Sequence, residues 1–215
     1  MFNEANVHGA SATTGTLREP LRDQVEQGTA GALLAALEEH DAYTARHSHS
    51  VVALARAVGI HLELSDEELA EVTLVALLHD IGKLSMPERV LRKRGPLTPH
   101  EREIMRDHSA AGARIVAKIR TLAHLAPAIR AGHERWDGTG YPDRLAGDAI
   151  PVASRITFVC DAYDAMTSAR PYREAMTPEH AREELVRGAG TQFCGRCVAA
   201  LLDVLDPATE LAARG

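Results

Sequence analysis

Residues 65–83, SDEELAEVTLVALLHDIGK, read as a complete helix with both ends marked. Ser65 and Glu68 stand three apart, the spacing of a capping box in which two otherwise orphaned N–H groups are satisfied reciprocally. Behind them apolar residues recur three and four apart, as on one face of a helix. Gly82 is read as the closing residue, because glycine accepts the backbone that ends many helices. The same grammar extends outward. Residues 21–41, LRDQVEQGTAGALLAALEEHD, and residues 43–62, YTARHSHSVVALARAVGIHL, carry the same periodicity. Thr98 with Glu101 repeats the capping box, with Pro99 at the tolerated first helical position. Thr177-Pro178 opens another helix, Asp206-Pro207 closes the last long one, and residues 151–169, PVASRITFVCDAYDAMTSA, form an apolar-periodic run ended by the Arg170-Pro171 dipeptide. No alternating stretch is long enough for a strand, and no 20–50-residue repeat is present. The expectation is an all-α bundle of about seven to nine helices in one domain over residues 20–215. Residues 1–19, polar and small, are expected to form a disordered leader.

Composition narrows the function. The chain has 215 residues, 4% aromatics and a net charge of -6, which argues against a DNA-binding protein. No run is long enough to span a membrane and no signal-peptide core is present, so no membrane association is expected. Three cysteines do not make a disulfide framework at this size, and a reducing cytoplasm is the expected compartment. Eleven histidines exceed ordinary usage and point to chemistry.

His79 and Asp80 end the apolar run and are followed by Lys83. Adjacent helical side chains point about 100° apart and converge only on something near the helix end. A metal ion suits an imidazole and a carboxylate there, with Lys83 beside a bound phosphate. A plain helix cap explains the same residues equally well. His47 reads equally as a capped surface histidine and His108, ending the helix TPHEREIMRDHS, as a favourable charge at a helix C-terminus, while His133, at the start of the glycine-rich loop, has a comparably plain alternative. Asp161, in ITFVCDAYDA, is harder to explain away, since a carboxylate in so apolar a run is costly unless paired or metal-bound. His8, His40, His49, His61, His100, His124 and His180 lack such context and read as surface or satisfied polar residues.

His47-Ser48, LLHDIGK around His79, His108, HERWDGTGYP from His133 and RITFVCDAYDAMTSARPYR through Arg173 together closely resemble the HD-GYP family, a subgroup of the HD superfamily of metal-dependent phosphohydrolases. The resemblance covers residues 41 to about 205. It implies a helical fold of the HD-GYP type, two or three metals, iron or manganese foremost with zinc compatible, and hydrolysis of cyclic di-GMP to pGpG and onward to GMP. Carried over, His47, His79, Asp80 and Asp161 would hold one metal. Asp80 would bridge to a second, held by His108 and a His-His pair. In this chain that pair reads Gly132-His133, so one imidazole is missing, with water or a swung His124 as replacements. The glutamate of trinuclear members falls on Tyr43, so a third metal is not expected.

The resemblance assigns catalytic roles to Asp80 and Lys83 and substrate contacts to Asp41, Lys83, Tyr141, Arg170 and Arg173. Gly138 and Gly140 let the loop turn tightly, Pro142 stiffens its exit, and Trp136 reads as a packing anchor rather than a base-stacking platform. Cys194 and Cys197 form a Cys-x-x-Cys where the family has Phe-Asp-Pro. A second cysteine pair or a thioredoxin-like pattern would be needed for a redox or zinc role, and neither is present. Two rivals remain: a catalytically weak module that binds cyclic dinucleotides or a signalling protein, suggested by Gly132, and an HD phosphohydrolase acting on another nucleotide. Homodimerisation is compatible with all three.

Overall fold

The central helix forms as its sequence directs. In the computed structural model, which describes residues 18–40, 42–169 and 174–206, α3 runs Asp66–Leu78. Both halves of the Ser65–Glu68 capping box are made, and Asp66, Glu67 and Glu68 face the positive end of the helix dipole. Val72, Leu74, Val75, Ala76 and Leu78 are all buried, so the last two turns are apolar nearly all round, the mark of a helix enclosed by others.

Around it lie α1 (Arg18–His40), α2 (Ala42–His61), α4 (Glu88–Leu91), α5 (Pro99–Arg106), α6 (His108–Val116), α7 (Ala126–Arg130), α8 (Val152–Thr167), α9 (Pro178–Gly188) and α10 (Gly195–Val204). Helices α2, α3 and α8 pack on one another; α1 and α10 cover α2 from outside, and α9 leans on α8. Among the described residues no strand forms beyond one isolated bridge between Ala189 and Phe193. The all-α expectation holds, with ten α-helices among the described residues where about seven to nine were expected. Helices of four and five residues such as α4 and α7 complete about one turn and leave no periodic signal to read. Residues 1–17, Asp41 and residues 170–173 lie outside the described residues, as do the side chains of 18–23, 40 and 42–46. Most of the expected leader, and the expected roles of Asp41, Arg170 and Arg173, therefore fall outside what the structure describes.

Two local expectations need correction. Helix α3 stops at Leu78, and Gly82 does not close it; Gly82 lies inside a 3-10 turn over Ile81–Ser85 and is absent from the positive-φ glycines among the described residues. It is needed for space: a Cβ there would run into the His108 carbonyl oxygen and come within 2.5 Å of the Gly112 nitrogen. Next, His108 does not end a helix. Asp107 breaks the run, and His108 opens α6, whose Ala110, Ala111, Gly112 and Ala113 let the 3-10 turn approach closely. Helix α8 ends at Thr167, ahead of the Arg170-Pro171 dipeptide.

Candidate metal centre

The 3-10 turn after α3 brings Asp80 to the middle of a buried polar cluster inside an apolar bundle. His79 caps α3, and its Nδ1 lies 2.8 Å from the Ala76 carbonyl oxygen. A carbonyl only accepts, so Nδ1 carries the proton and Nε2 is left bare. That Nε2 is buried with no hydrogen-bond partner. His108 repeats the arrangement, with Nδ1 2.7 Å from the Met105 carbonyl oxygen. Its Nε2 stands 2.9 Å from His133 Nε2, a separation that two ring nitrogens hold only with a proton or a cation between them.

Asp80 faces both imidazole groups. Its Oδ1 is 3.6 Å from His108 Nε2; its Oδ2 is 3.5 Å from His79 Nε2 and 2.6 Å from the Lys83 ammonium. Burial alone would raise the pKa of Asp80, yet the Lys83 ammonium, with His79 and His108 beside it, holds it well below the ordinary carboxylate range. His47, on α2, is buried against α8, with Nε2 2.9 Å from Asp161 Oδ1 and Nδ1 2.6 Å from Asp164 Oδ2. Burial would lower the His47 pKa, but the hydrogen bonds to these two acids outweigh it and raise it to about 9. Asp161 is likewise opposed by burial and is drawn down to about 2 by His47 and His79. His47, His79 and Asp80 offer ligand atoms all within 4.8 Å of one another. Nitrogen and carboxylate donors aimed inward, one of them orphaned, are what a divalent cation requires.

The structure therefore brings together His47, His79, Asp80, Asp161, His108 and His133. Burial, and then the neighbouring His108, lower the His133 pKa to about 4, so this ring stays neutral and keeps a lone pair to offer. Gly132 is buried and brings no donor, and His124 is exposed to solvent. His49, His61, His100 and His180 are exposed as well, in keeping with their reading as surface residues.

The glycine-rich loop turns back tightly beside this cluster, as its glycines suggest. Gly138 has φ +75°, and a Cβ on Gly140 would come within 2.6 Å of the Glu134 Cα, so the loop doubles back on itself. Tyr141 consequently stacks on His133, with ring centroids 5.2 Å apart. Burial raises the Tyr141 pKa to about 12, so its hydroxyl stays protonated. Trp136 packs against the core with Arg155 over its ring, the anchoring role expected of it. Cys194 and Cys197 are buried at the start of α10 within the core that also holds Cys160. Burial pushes the Cys197 thiol up to about 12, the opposite of an activated cysteine.

Three participants escape the sequence reading. Glu134 is buried and its Oε1 accepts the Asp143 N–H at 2.6 Å, pinning the loop exit. Arg106 lays its guanidinium 5.4 Å from the centre of the Tyr141 ring, a cation–π distance. Its placement depends on the break at Asp107, which leaves no signal in the sequence. Asp164 orients His47; its signal was visible as a second acid three residues after Asp161, on the same side of α8.

The HD domain family profile matches residues 32–196. The chain belongs to the HD domain family. Its His79-Asp80 and Gly140-Tyr141-Pro142 motifs are those of the HD-GYP type. Among curated relatives, the cyclic di-GMP phosphodiesterase response regulator RpfG of Xanthomonas campestris pv. campestris is 39% identical over 182 residues, 84% of this chain and 48% of that protein. The 3'3'-cGAMP-specific phosphodiesterase 2 of Vibrio cholerae is 36% identical over 173 residues, 80% of this chain and 33% of that protein. The chain thus spans about half the length or less of these relatives. An HDG"Y"P protein from Bdellovibrio bacteriovorus superposes with a TM-score of 0.64 at 18% identity, covering 86% of this chain and 63% of the other, a likeness of fold. No described helix of this HD domain chain is long and apolar enough to cross a membrane.

Proposed function

We propose that this HD domain is a metal-dependent phosphodiesterase that opens a cyclic dinucleotide, with cyclic di-GMP the first candidate, to linear pGpG and onward to GMP. One observation carries the reading: Asp80 turns Oδ1 to the His108 side and Oδ2 to the His79 side of a buried donor cluster. His47, His79, Asp80 and Asp161 would hold one divalent cation, and Asp80, His108 and His133 a second. When bound, such cations supply Lewis-acid charge for the phosphoryl oxygens and an activated water. Iron and manganese suit this mixed nitrogen and oxygen set, and zinc is compatible with it.

The chain's own groups do the rest. Lys83 brings a positive charge beside Asp80, where charge gathers on the phosphoryl group as the ribose 3′-oxygen departs. Tyr141, stacked over His133, presents a protonated hydroxyl at the rim of the site. Asp41, Arg170 and Arg173 complete the proposed substrate contacts through the family resemblance, the two guanidinium forks matching phosphate oxygens. Arg106 extends the same rim, so Arg106→Ala is expected to raise KM about tenfold with kcat little changed, as for binding shared by ground and transition states. A fall in kcat at constant KM would assign it otherwise. The cytoplasm is the proposed compartment, where three unpaired thiols persist.

Gly132 favours a second reading, a dinucleotide-binding module with weak turnover. Metal analysis of protein loaded anaerobically with iron or manganese, followed by hydrolysis assays on cyclic di-GMP and 3'3'-cGAMP, separates them. Two cations with turnover support the enzyme; tight nucleotide binding without turnover supports the module; turnover on the second dinucleotide alone reassigns the substrate. Gly132→His sharpens the test. A Cβ at this position would stand 3.2 Å from the Ile129 carbonyl oxygen, tighter than ordinary van der Waals contact, so the turn must give by a few tenths of an ångström to admit an imidazole. The variant is expected to bind the second cation about tenfold tighter or more and to turn over faster, since outer-shell partners alone are worth about 10–100-fold. Unchanged metal content would show that the missing imidazole is not limiting.

A further inference from the structure

We infer that Asp164 is a positioning residue for this centre: its carboxylate fixes the His47 ring so that Nε2, and not Nδ1, faces the cation. The inference rests on the metal-dependent reading above. Asp164 is buried on α8, and its Oδ2 lies 2.6 Å from His47 Nδ1, joining residues 117 apart in sequence. The same oxygen is 3.4 Å from the Ser168 hydroxyl, which ties it to the end of its own helix.

A carboxylate only accepts, so each His47 nitrogen carries a proton towards its own acid in the metal-free protein; Nε2, on the Asp161 side, is the one placed to exchange its proton for the cation, while Asp164 keeps the proton on Nδ1. His79 and His108 obtain the same tautomer from main-chain carbonyls three residues earlier, Ala76 and Met105. For His47 that place is taken by a charged group on another helix. A charge-assisted bond is stronger than one to a carbonyl and raises the basicity of the ligating nitrogen. Helix α8 thus supplies two acids a turn apart with different tasks: Asp161 meets His47 Nε2 on the cation side, and Asp164 holds the ring from behind.

Zinc titrations against a chromophoric chelator, together with nitrogen-resolved NMR of the histidine rings, test this. Asp164→Asn keeps the side-chain shape and is expected to lower zinc affinity by about 10–100-fold, the usual effect of an outer-shell partner. Ser154→Ala removes a different buried α8 bond, to the Ala128 carbonyl oxygen at 2.7 Å, and is expected to leave zinc affinity unchanged. In the zinc-loaded parent, His47 is expected to carry its proton on Nδ1 and the metal on Nε2, a readout that does not depend on any variant folding. Zinc on Nδ1, an Asp164→Asn protein matching the parent, or an equal loss in Ser154→Ala overturns the assignment alone. A parent that takes up no zinc overturns the proposed function and this assignment with it.

Discussion

Asp80→Ala is expected to release the cations of both proposed positions together and to abolish hydrolysis with them. The two oxygens of Asp80 face different imidazole groups, Oδ1 towards His108 and Oδ2 towards His79, so one side chain serves both sides of the cluster. Removing a shared ligand costs more than removing an outer-shell partner, so the loss in affinity should exceed about 100-fold at each position. Asp80→Asn gives the sharper comparison. It keeps the size of the buried side chain and replaces an anionic donor with a neutral amide, so it should bind cations almost as poorly while melting close to the parent. Metal content after desalting, read beside the helical circular dichroism signal, checks both. A variant that keeps both ions contradicts the shared role of Asp80. Loss of one ion alone would assign Asp80 to a single position.

How much of this was legible beforehand depends on how far apart the cooperating residues lie. The capping boxes at Ser65–Glu68 and Thr98–Glu101 are local devices, and both form as read. The all-α architecture follows from periodicity, which also depends only on neighbours. The metal-facing residues were reached through family resemblance, because nothing local says that His47 on α2 will meet Asp161 on α8. Asp164 shows the boundary well. Its spacing from Asp161 was in view, yet its task depends on a helix that begins more than a hundred residues earlier. Arg106 was out of reach for another reason: its direction is set by a break between two short helices, and Asp107 at that break is not a strong breaker. Gly82 was noticed and misread. Glycine at the end of an apolar run ordinarily means a left-handed cap, whereas here it means close contact with another chain segment.

That contact sets the second large effect. Gly82→Ala is expected to destabilise the protein by about 3 kcal/mol or more, at or above the upper end of ordinary overpacking. The added methyl would run into the His108 carbonyl oxygen and lie within 2.7 Å of the His108 carbonyl carbon and 2.5 Å of the Gly112 nitrogen. All three are backbone atoms in the first turns of α6, and none can rotate aside as a flexible side chain would. The 3-10 turn and α6 must therefore separate, and each carries part of the cluster, Asp80 just before the turn and His108 at the head of the helix. Any folded fraction should consequently bind zinc more weakly as well. Gly28→Ala is the matched comparison. Gly28 lies within α1, and a Cβ there meets nothing within 4 Å. The same methyl should stabilise by about 0.5–1 kcal/mol, because alanine loses less backbone freedom than glycine on entering a helix. Urea unfolding of the metal-free proteins, compared at equal slope, reads both numbers. A Gly82→Ala midpoint equal to the parent would mean that the turn and α6 are not in contact, and the route by which α3 delivers Asp80 to His108 would have to be redrawn.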